Sequence, residues 1–289
     1  MDLGGARRGV DMGPSAIRLS GVIEELSRLG HDVRDFGNVI VRTRATLEEG
    51  DSSARHAREV LRACASLAEM TGEVLDDGRV PVHLGGDHSL SIGSLWAMAK
   101  RHGPGGVIWI DAHADLNTPD TSPSGNVHGM PLAAALGMCA NFPDFRHDGW
   151  PQCSVDPRHA VLVGIRELDP GERRYLRSPG APTVFTMSDI DHRGLANVMA
   201  EAIAIASGAG FLHVSLDLDV VDPADAPGVG TPVRGGLTYR EAHTMMEQLS
   251  DQPISSLDVV EVNPVLDTHN TTGELACELV CSLLGKRIL

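Results

Sequence analysis

Residues 107–115, Val-Ile-Trp-Ile-Asp-Ala-His-Ala-Asp, join a strand pattern to three side chains that bind metals. Val107–Ile110 is an apolar run rich in β-branched residues, which is typical of a buried strand. Asp111, His113 and Asp115 follow at alternate positions, so they leave the carboxyl end of that strand together. Open parallel sheets place their functional sites at this edge. The stretch therefore predicts an α/β fold with a metal site at the end of one strand.

Strand patterns and helical patterns alternate along the rest of the chain. Further strands are predicted at residues 80–84, 160–165, 183–186, 211–216 and 257–262. Helices are predicted at residues 13–29, 52–75, 89–100 and 190–207, and after the capping-box patterns at Thr238 and Thr271. This alternation predicts one mostly parallel sheet with helices on both faces. Since no linker interrupts it, we predict a single domain over residues 1–289.

Two segments do not follow the alternation. Residues 4–9, Gly-Gly-Ala-Arg-Arg-Gly, are typical of a loop after a strand, yet no strand pattern precedes them. We therefore expect the opening strand to be missing, and hypothesise that the natural chain begins earlier; the mass of the native N-terminal peptide would test this. Residues 141–158 are rich in Pro, Asp and Gly, and we predict a long surface excursion without assigning it a role.

The bulk composition narrows the class of protein. With 24 basic and 39 acidic side chains the formal net charge is −15, which disfavours a nucleic-acid partner. No apolar run reaches the length of a membrane span, and the first residues do not resemble a signal peptide. The five cysteines lack zinc-binding spacing. We predict no membrane association and a cytoplasmic location, where thiols stay reduced.

Two more groups of metal-binding side chains follow predicted strands. His88 lies in Gly-Gly-Asp-His-Ser after residues 80–84, and Asp217 and Asp219 follow residues 211–216. Together with the first group they provide six ligands, of which four are carboxylates, more than one tetrahedral zinc requires. They suit two octahedral-leaning divalent ions that share carboxylates, with manganese the leading candidate. Two such ions, roughly 3.5–4 Å apart, lower the pKa of a bridging water toward neutrality, so we predict metal-assisted hydrolysis.

Seven motifs along the chain resemble the ureohydrolase family and, within it, the arginases most of all. In order they are Gly85-Gly86-Asp87-His88-Ser89, Asp111-Ala112-His113-Ala114-Asp115, Ser124-Gly125-Asn126-Val127-His128-Gly129-Met130-Pro131, Asp169-Pro170-Gly171-Glu172, Ser215-Leu216-Asp217-Leu218-Asp219, Gly230-Thr231-Pro232-Val233 and Glu261-Val262-Asn263-Pro264. The match covers nearly the whole chain.

The resemblance implies a three-layer α/β/α sandwich around an eight-stranded, mostly parallel sheet, in homotrimers or homohexamers. It implies two Mn²⁺ ions per chain, which hydrolyse L-arginine to L-ornithine and urea through a bridging hydroxide. One ion would bind His88, Asp111, Asp115 and Asp217, and the other would bind Asp111, His113, Asp217 and Asp219.

The resemblance also implies the residues that contact the substrate. Neutral donors for the α-carboxylate would be Asn117, Ser124 and Asn126, and carboxylates for the α-ammonium would be Asp169 and Glu172. At the other end Glu261 would hold the guanidinium by charge-assisted hydrogen bonds, with Thr231 lining the same pocket. Glu167 stands where many arginases have an aspartate.

Proton transfer is assigned to two residues. Asp115 would accept the hydroxide proton and pass it to the leaving ornithine amine. His128 matches the catalytic histidine of the family, and an imidazole with a pKa near the operating pH suits exchange of protons with bulk water. We expect the remaining histidines, including His31, His56, His147 and His159, to face solvent.

Three alternatives compete with an arginase. An agmatinase or a guanidinobutyrase acts on a substrate that lacks one α-group, whereas the residues above favour a full amino acid. A deacetylase of the same fold is disfavoured, because it carries a single zinc, fewer carboxylates and a tandem histidine pair that this sequence lacks. A truncated, non-catalytic metal-binding relic is favoured by the missing opening strand and opposed by the intact ligand set.

Overall fold

The computed structural model describes residues 1–146 and 149–287. Its six strands form one parallel sheet in the order β1-β6-β5-β2-β3-β4. The strands are β1 (Val82–Leu84), β2 (Gly105–Ile110), β3 (Val155–Ile165), β4 (Thr183–Thr186), β5 (Leu212–Asp217) and β6 (Ser256–Val260). All six correspond to apolar runs of the sequence, so the α/β class is confirmed.

Ten α-helices are found in the described ranges. They are α1 (Gly13–Leu19), α2 (Val22–Arg28), α3 (Ala57–Asp76), α4 (Ser91–His102), α5 (Pro131–Ala135), α6 (Pro170–Tyr175), α7 (Met187–Arg193), α8 (Leu195–Ala206), α9 (Tyr239–Leu249) and α10 (Thr271–Leu283). None of these helices is long and apolar enough to cross a membrane.

Helices cover both faces of the sheet, because the side chains of each strand alternate between two cores. On one face Ile108 and Ile110 of β2 pack in the same cluster as Val198 of α8. On the other face Val107 and Trp109 pack with Leu95 of α4. All of these side chains are buried, which accounts for the continuous apolar run of β2. The result is the three-layer α/β/α sandwich that the sequence predicts.

Several details differ from the predictions. The resemblance implies about eight strands, whereas the described residues form six, which is the number of apolar runs in the sequence. The helix predicted at 13–29 is interrupted at Gly21 (φ 84°) and the one at 190–207 at Gly194 (φ 80°), because glycine adopts this left-handed backbone readily.

Two helix starts also differ. The capping box at Thr238 is formed: its hydroxyl accepts the Glu241 N–H (3.3 Å) while Glu241 accepts the Thr238 N–H (2.9 Å). The box predicted at Thr271 is not formed, since α10 begins after Asn270, whose backbone is left-handed (φ 65°). Of the predicted excursion 141–158, the last four residues belong to β3, and residues 147 and 148 lie outside the described residues.

The register of the sheet aligns the carboxyl ends of four neighbouring strands. Ile110 of β2 pairs with Leu216 of β5, Leu216 pairs with Val259 of β6, and Val259 pairs with Leu84 of β1. The segments that follow these four residues therefore meet at one edge of the sheet, where parallel α/β folds bind their ligands.

Candidate active site and metal centre

Three carboxylates surround one nitrogen of a buried histidine. His88 follows β1, and its Nδ1 lies 3.1 Å from an oxygen of each of Asp111, Asp115 and Asp217. The nitrogen is buried and makes no hydrogen bond to a described residue. Nε2 of the same ring lies 2.7 Å from the hydroxyl of Ser215, so when Nε2 carries the proton and donates to this hydroxyl, the Nδ1 lone pair is free to bind an ion. This is the arrangement of a histidine prepared to bind a metal.

A second group lies beside the first. His113 Nδ1 is 3.0 Å from Asp219 Oδ2 and 3.5 Å from Asp111 Oδ1. The ligand atoms of His88, Asp111 and Asp115 lie within 4.8 Å of one another, and so do those of Asp111, His113 and Asp219. The two groups share Asp111, so its carboxylate can bridge two ions. All six predicted metal ligands are thus brought together.

Backbone N–H groups fix the orientation of these carboxylates. Asp217 Oδ1 accepts the Asp219 N–H (2.8 Å), Asp219 Oδ1 accepts the Ala112 N–H (3.1 Å), and Asp111 Oδ1 accepts the His113 N–H (2.6 Å). The other oxygen of Asp217 faces His88, and that of Asp219 faces His113. The turns after β2 and β5 therefore hold the ligands in place before any ion binds.

The crowded acids favour a bound cation. Burial and the charge of Asp111 raise the pKa of Asp115 to about 6, against the lowering effect of His88. Burial also raises the pKa of Asp217 well above its usual range, and the charges of Asp219 and Asp111 add to this effect. Buried like charges destabilise one another unless an ion neutralises them. The oriented Nδ1 of His88 and this donor set fit two divalent cations.

Glu261 and His128 form a pair next to the ligands. Glu261 follows β6, and its Oε1 accepts both the His88 N–H (2.9 Å) and the His128 Nδ1–H (3.0 Å). Burial lowers the pKa of His128, but the neighbouring Glu261 raises it to about 9. His128 in turn keeps the pKa of Glu261 below its usual value, against the opposing effect of burial. Glu261 is therefore an ionised carboxylate.

Two of the acids at this centre have unusual backbones. Asp115 (φ 53°) and Glu261 (φ 64°) are non-glycine residues in the left-handed region. Such conformations cost about 1–3 kcal/mol each and cluster at functional sites. Here they turn both carboxylates, which are almost fully buried, toward the edge of the sheet.

A cavity of about 300 Å³ opens beside this centre. Five of the predicted site residues line it: His113, Asn126, His128, Thr231 and Glu261. Glu167 lines it as well, with its Oε2 3.5 Å from His113 Nε2. The sequence did not predict that the segment Gly5–Arg7 would form part of the wall, because only the tertiary fold brings it there.

The other predicted substrate residues lie outside the lining of this cavity. Asn117 Nδ2 donates to Asp169 Oδ2 (2.8 Å). Glu172 is buried, with Oε2 accepting the Asp169 N–H (2.8 Å) and Oε1 the Leu116 N–H (3.0 Å). Ser124 is exposed and accepts the Asn126 N–H through its hydroxyl (3.2 Å). Asn117, Asp169 and Glu172 thus form one hydrogen-bonded group behind the metal ligands.

A buried network below the centre was not predicted. Asp258 of β6 is fully buried and accepts hydrogen bonds from His83 Nδ1 (2.7 Å) and from the hydroxyls of Ser91 (2.7 Å) and Ser94 (2.6 Å), while His213 Nε2 lies 3.3 Å away. The sequence carried a weak signal for it, since histidines and an aspartate interrupt three otherwise apolar strands.

The remaining histidines are not all at the surface. His31 is exposed and His159 is half-buried. His56 is buried (6% exposed), which contradicts the prediction. Its backbone is left-handed (φ 57°) where the chain turns into α3, and its Nδ1 lies 3.2 Å from Glu48 O, so the ring is held inside the fold. His147 lies outside the described residues.

Comparison with known proteins gives a consistent result. The family model described as the arginase family matches residues 1–285. The arginase of Bacillus caldovelox is 49% identical over 292 residues, covering 100% of this chain and 97% of the relative. The arginase of Bacillus subtilis (strain 168) is 48% identical over 290 residues, covering 100% and 96%. The solved native structure of the Bacillus caldovelox arginase at pH 5.6 superposes with a TM-score of 0.95 at 49% identity, covering 100% of this chain and 97% of that one.

Proposed function

This chain belongs to the arginase family, and we propose that it hydrolyses L-arginine to L-ornithine and urea with two Mn²⁺ ions. One observation carries this proposal: two groups of metal-binding side chains share Asp111 and lie beside a cavity that contains Glu261 and His128. When bound, two divalent cations lower the pKa of water and stabilise developing negative charge. The ligand set with four carboxylates supports hard divalent ions such as Mn²⁺.

Glu261 is proposed to position the guanidinium. Its Oε1 already accepts two hydrogen bonds, whereas its Oε2 accepts none from the described residues. The carboxylate is ionised and lines the cavity, so it offers a charge-assisted acceptor for the planar guanidinium N–H groups. Thr231, in the same wall, donates its hydroxyl to Asp219 Oδ2 (3.1 Å) and so ties the substrate pocket to a metal ligand.

Proton transfer is proposed to use Asp115 and His128. Asp115 is buried beside His88, at a point where it can accept a proton from the attacking water and deliver it to the leaving amine nitrogen. His128 lines the cavity with its side chain 16% exposed, so it connects the site with solvent. We propose that it exchanges this proton with bulk water.

The α-carboxylate and the α-ammonium of the substrate are proposed to bind at the end of the pocket opposite the guanidinium. Asn126 lines the cavity, which supports a contact with the α-carboxylate, and Asn117 and Ser124 belong to the same loop. Asp169 is proposed to pair with the α-ammonium. Since both oxygens of Glu172 accept backbone N–H groups, its contribution is to hold Asp169 and to add negative charge.

Three further properties remain predictions. We propose that residues 1–289 form a single domain, supported by the one sheet that joins all six strands. A cytoplasmic location is supported by five free cysteines. A homotrimer or homohexamer is supported by the resemblance to arginases alone.

The activity is tested by urea release. Purified protein with added Mn²⁺ is assayed against L-arginine, agmatine and 4-guanidinobutyrate, with bound metal measured in parallel. We expect urea from L-arginine and two metal equivalents per chain. Faster release from agmatine or 4-guanidinobutyrate would assign a different ureohydrolase, and metal binding without urea from any substrate would identify a non-catalytic protein.

A further inference from the structure

A loop outside the seven motifs contacts the proposed carboxylate-binding loop. Arg55 lies before α3, and its backbone N–H donates to the carbonyl of Gly125 (2.9 Å). Arg55 and Asn126 also form an isolated parallel β-bridge. The contact is close, since a Cβ on Gly125, which has a left-handed backbone (φ 66°), would lie 1.9 Å from the carbonyl oxygen of Ser52. The two loops therefore have a fixed relative position.

The side chain of Arg55 reaches the side chain of Asn126. Its Nη2 donates to Asn126 Oδ1, and its Nε lies 3.2 Å from Glu49 Oε1. The Arg55 side chain as a whole is 25% exposed, so most of it is withdrawn from solvent. Glu49 also accepts the His56 N–H through its backbone carbonyl (2.7 Å), which closes the loop around Arg55.

The hydrogen-bonding groups of Arg55 determine the orientation of the Asn126 amide. A guanidinium has only donors, so it accepts no hydrogen bond from an amide NH₂ and must face the amide oxygen. Asn126 Nδ2 is then left as the free end of the amide, and it donates to no residue in the described ranges. Asn126 lines the cavity, so this NH₂ is the part of its amide that can donate to a ligand bound there.

We propose that Arg55 is a positioning residue that makes Asn126 a hydrogen-bond donor toward the cavity and thereby selects substrates that carry an α-carboxylate. This inference rests on the proposed function, in which Asn126 contacts that carboxylate. Without Arg55 the amide is free to rotate, and it can then present its oxygen to the carboxylate, which is repulsive. Arg55 therefore affects recognition of the amino-acid end and leaves the chemistry at the guanidinium end unchanged.

The test compares Arg55→Met with the wild-type Mn²⁺-loaded enzyme. L-Ornithine carries the α-carboxylate and putrescine lacks it, so both are used as competitive inhibitors. We expect the inhibition constant of ornithine and the KM of L-arginine to rise about 10-fold, as for the loss of one hydrogen bond to a charged group. The inhibition constant of putrescine and kcat should change less than about twofold. Arg58→Met, on the exposed side of α3, is the matched control and should behave as wild type.

A double-mutant cycle separates positioning from general damage. In an Asn126→Ala background, Arg55→Met should have no further effect on ornithine binding, because its effect passes through Asn126. Arg55→Lys keeps a donor and should restore most of the affinity. Arg55→Ala, which also removes the guanidinium, takes the place of Arg55→Met if that variant does not fold. Equal losses for ornithine and putrescine, additive effects in the cycle, or unchanged ornithine binding would each overturn the proposal. If instead the wild-type enzyme releases no urea from L-arginine and does not bind ornithine, the proposed function itself has failed.

Discussion

Asp258 connects the segments that carry the metal ligands, and its replacement by asparagine provides the strictest test of the structure. The residue lies three positions before Glu261, and it accepts hydrogen bonds from His83 on β1 and from Ser91, which follows His88 by three positions. His213 of β5, four positions before Asp217, has its Nε2 3.3 Å from the same oxygen, Oδ2, that accepts from Ser91. Asp258→Asn keeps the size of the side chain and removes its charge.

The expected loss of stability can be worked out from these contacts. The hydroxyls of Ser91 and Ser94 can rotate and accept from the new amide, so their bonds are retained. The two imidazoles lose their common anion inside a fully buried site. Removal of one member of a buried charged group costs about 3–5 kcal/mol. We therefore expect Asp258→Asn to lower the free energy of unfolding by about that amount.

The pH dependence of this loss has a definite sign. Burial raises the pKa of Asp258, but His213 and His83 outweigh it and hold the pKa well below its usual range. A group with a lowered pKa in the folded state stabilises the protein fully above its unfolded pKa, about 3.9, and loses this contribution as the pH falls. The difference between wild type and Asp258→Asn should therefore be present in full above the unfolded pKa and should shrink as the pH falls below about pH 4.

Urea denaturation of the metal-free proteins, followed by circular dichroism, measures both effects. Asp76→Asn is the matched control, because Asp76 forms an exposed ion pair with Arg101 (2.8 Å) and such pairs contribute little. A loss below about 1 kcal/mol for Asp258→Asn near neutral pH, or a difference that does not shrink below about pH 4, would refute the account of a buried anion between two imidazoles.

The remaining predictions concern the metal centre and its neighbours. Asp217→Ala removes an oxygen 3.1 Å from His88 Nδ1, so metal loading by elemental analysis and urea release should be lost together; full activity would contradict the site. His128→Asn should keep both metals and lose most turnover, at least about 100-fold for removal of a proton-transfer group, and a metal-free variant would argue against a shuttle role. Glu261→Gln removes the charge that raises the pKa of His128 to about 9, so an NMR titration of the metal-free protein should show this pKa falling; an unchanged value would exclude Glu261 as its cause.

The sequence predicts those parts of the site whose residues lie close together along the chain. Asp111, His113 and Asp115 alternate behind an apolar run, and a strand followed by a turn brings them together whatever the rest of the chain does. The meeting of His88 with this group was predictable because parallel strands end at one edge of a sheet. Helix breaks were less predictable, since Gly21 is a single residue in a pattern that otherwise continues.

The sequence does not predict contacts between residues that lie far apart along the chain, because no local pattern indicates which of them meet. Arg55 and Asn126 are separated by 71 positions, and His83 and Asp258 by 175. Each residue taken alone is typical of a surface loop or a strand end, and only the register of β1 against β6 makes a polar network out of His83 and Asp258. The same register brings Glu261 within 2.9 Å of the His88 backbone N–H. An error of one residue in that pairing would turn these side chains to the other face of the sheet, so the buried network and the metal centre specify the same alignment of strands.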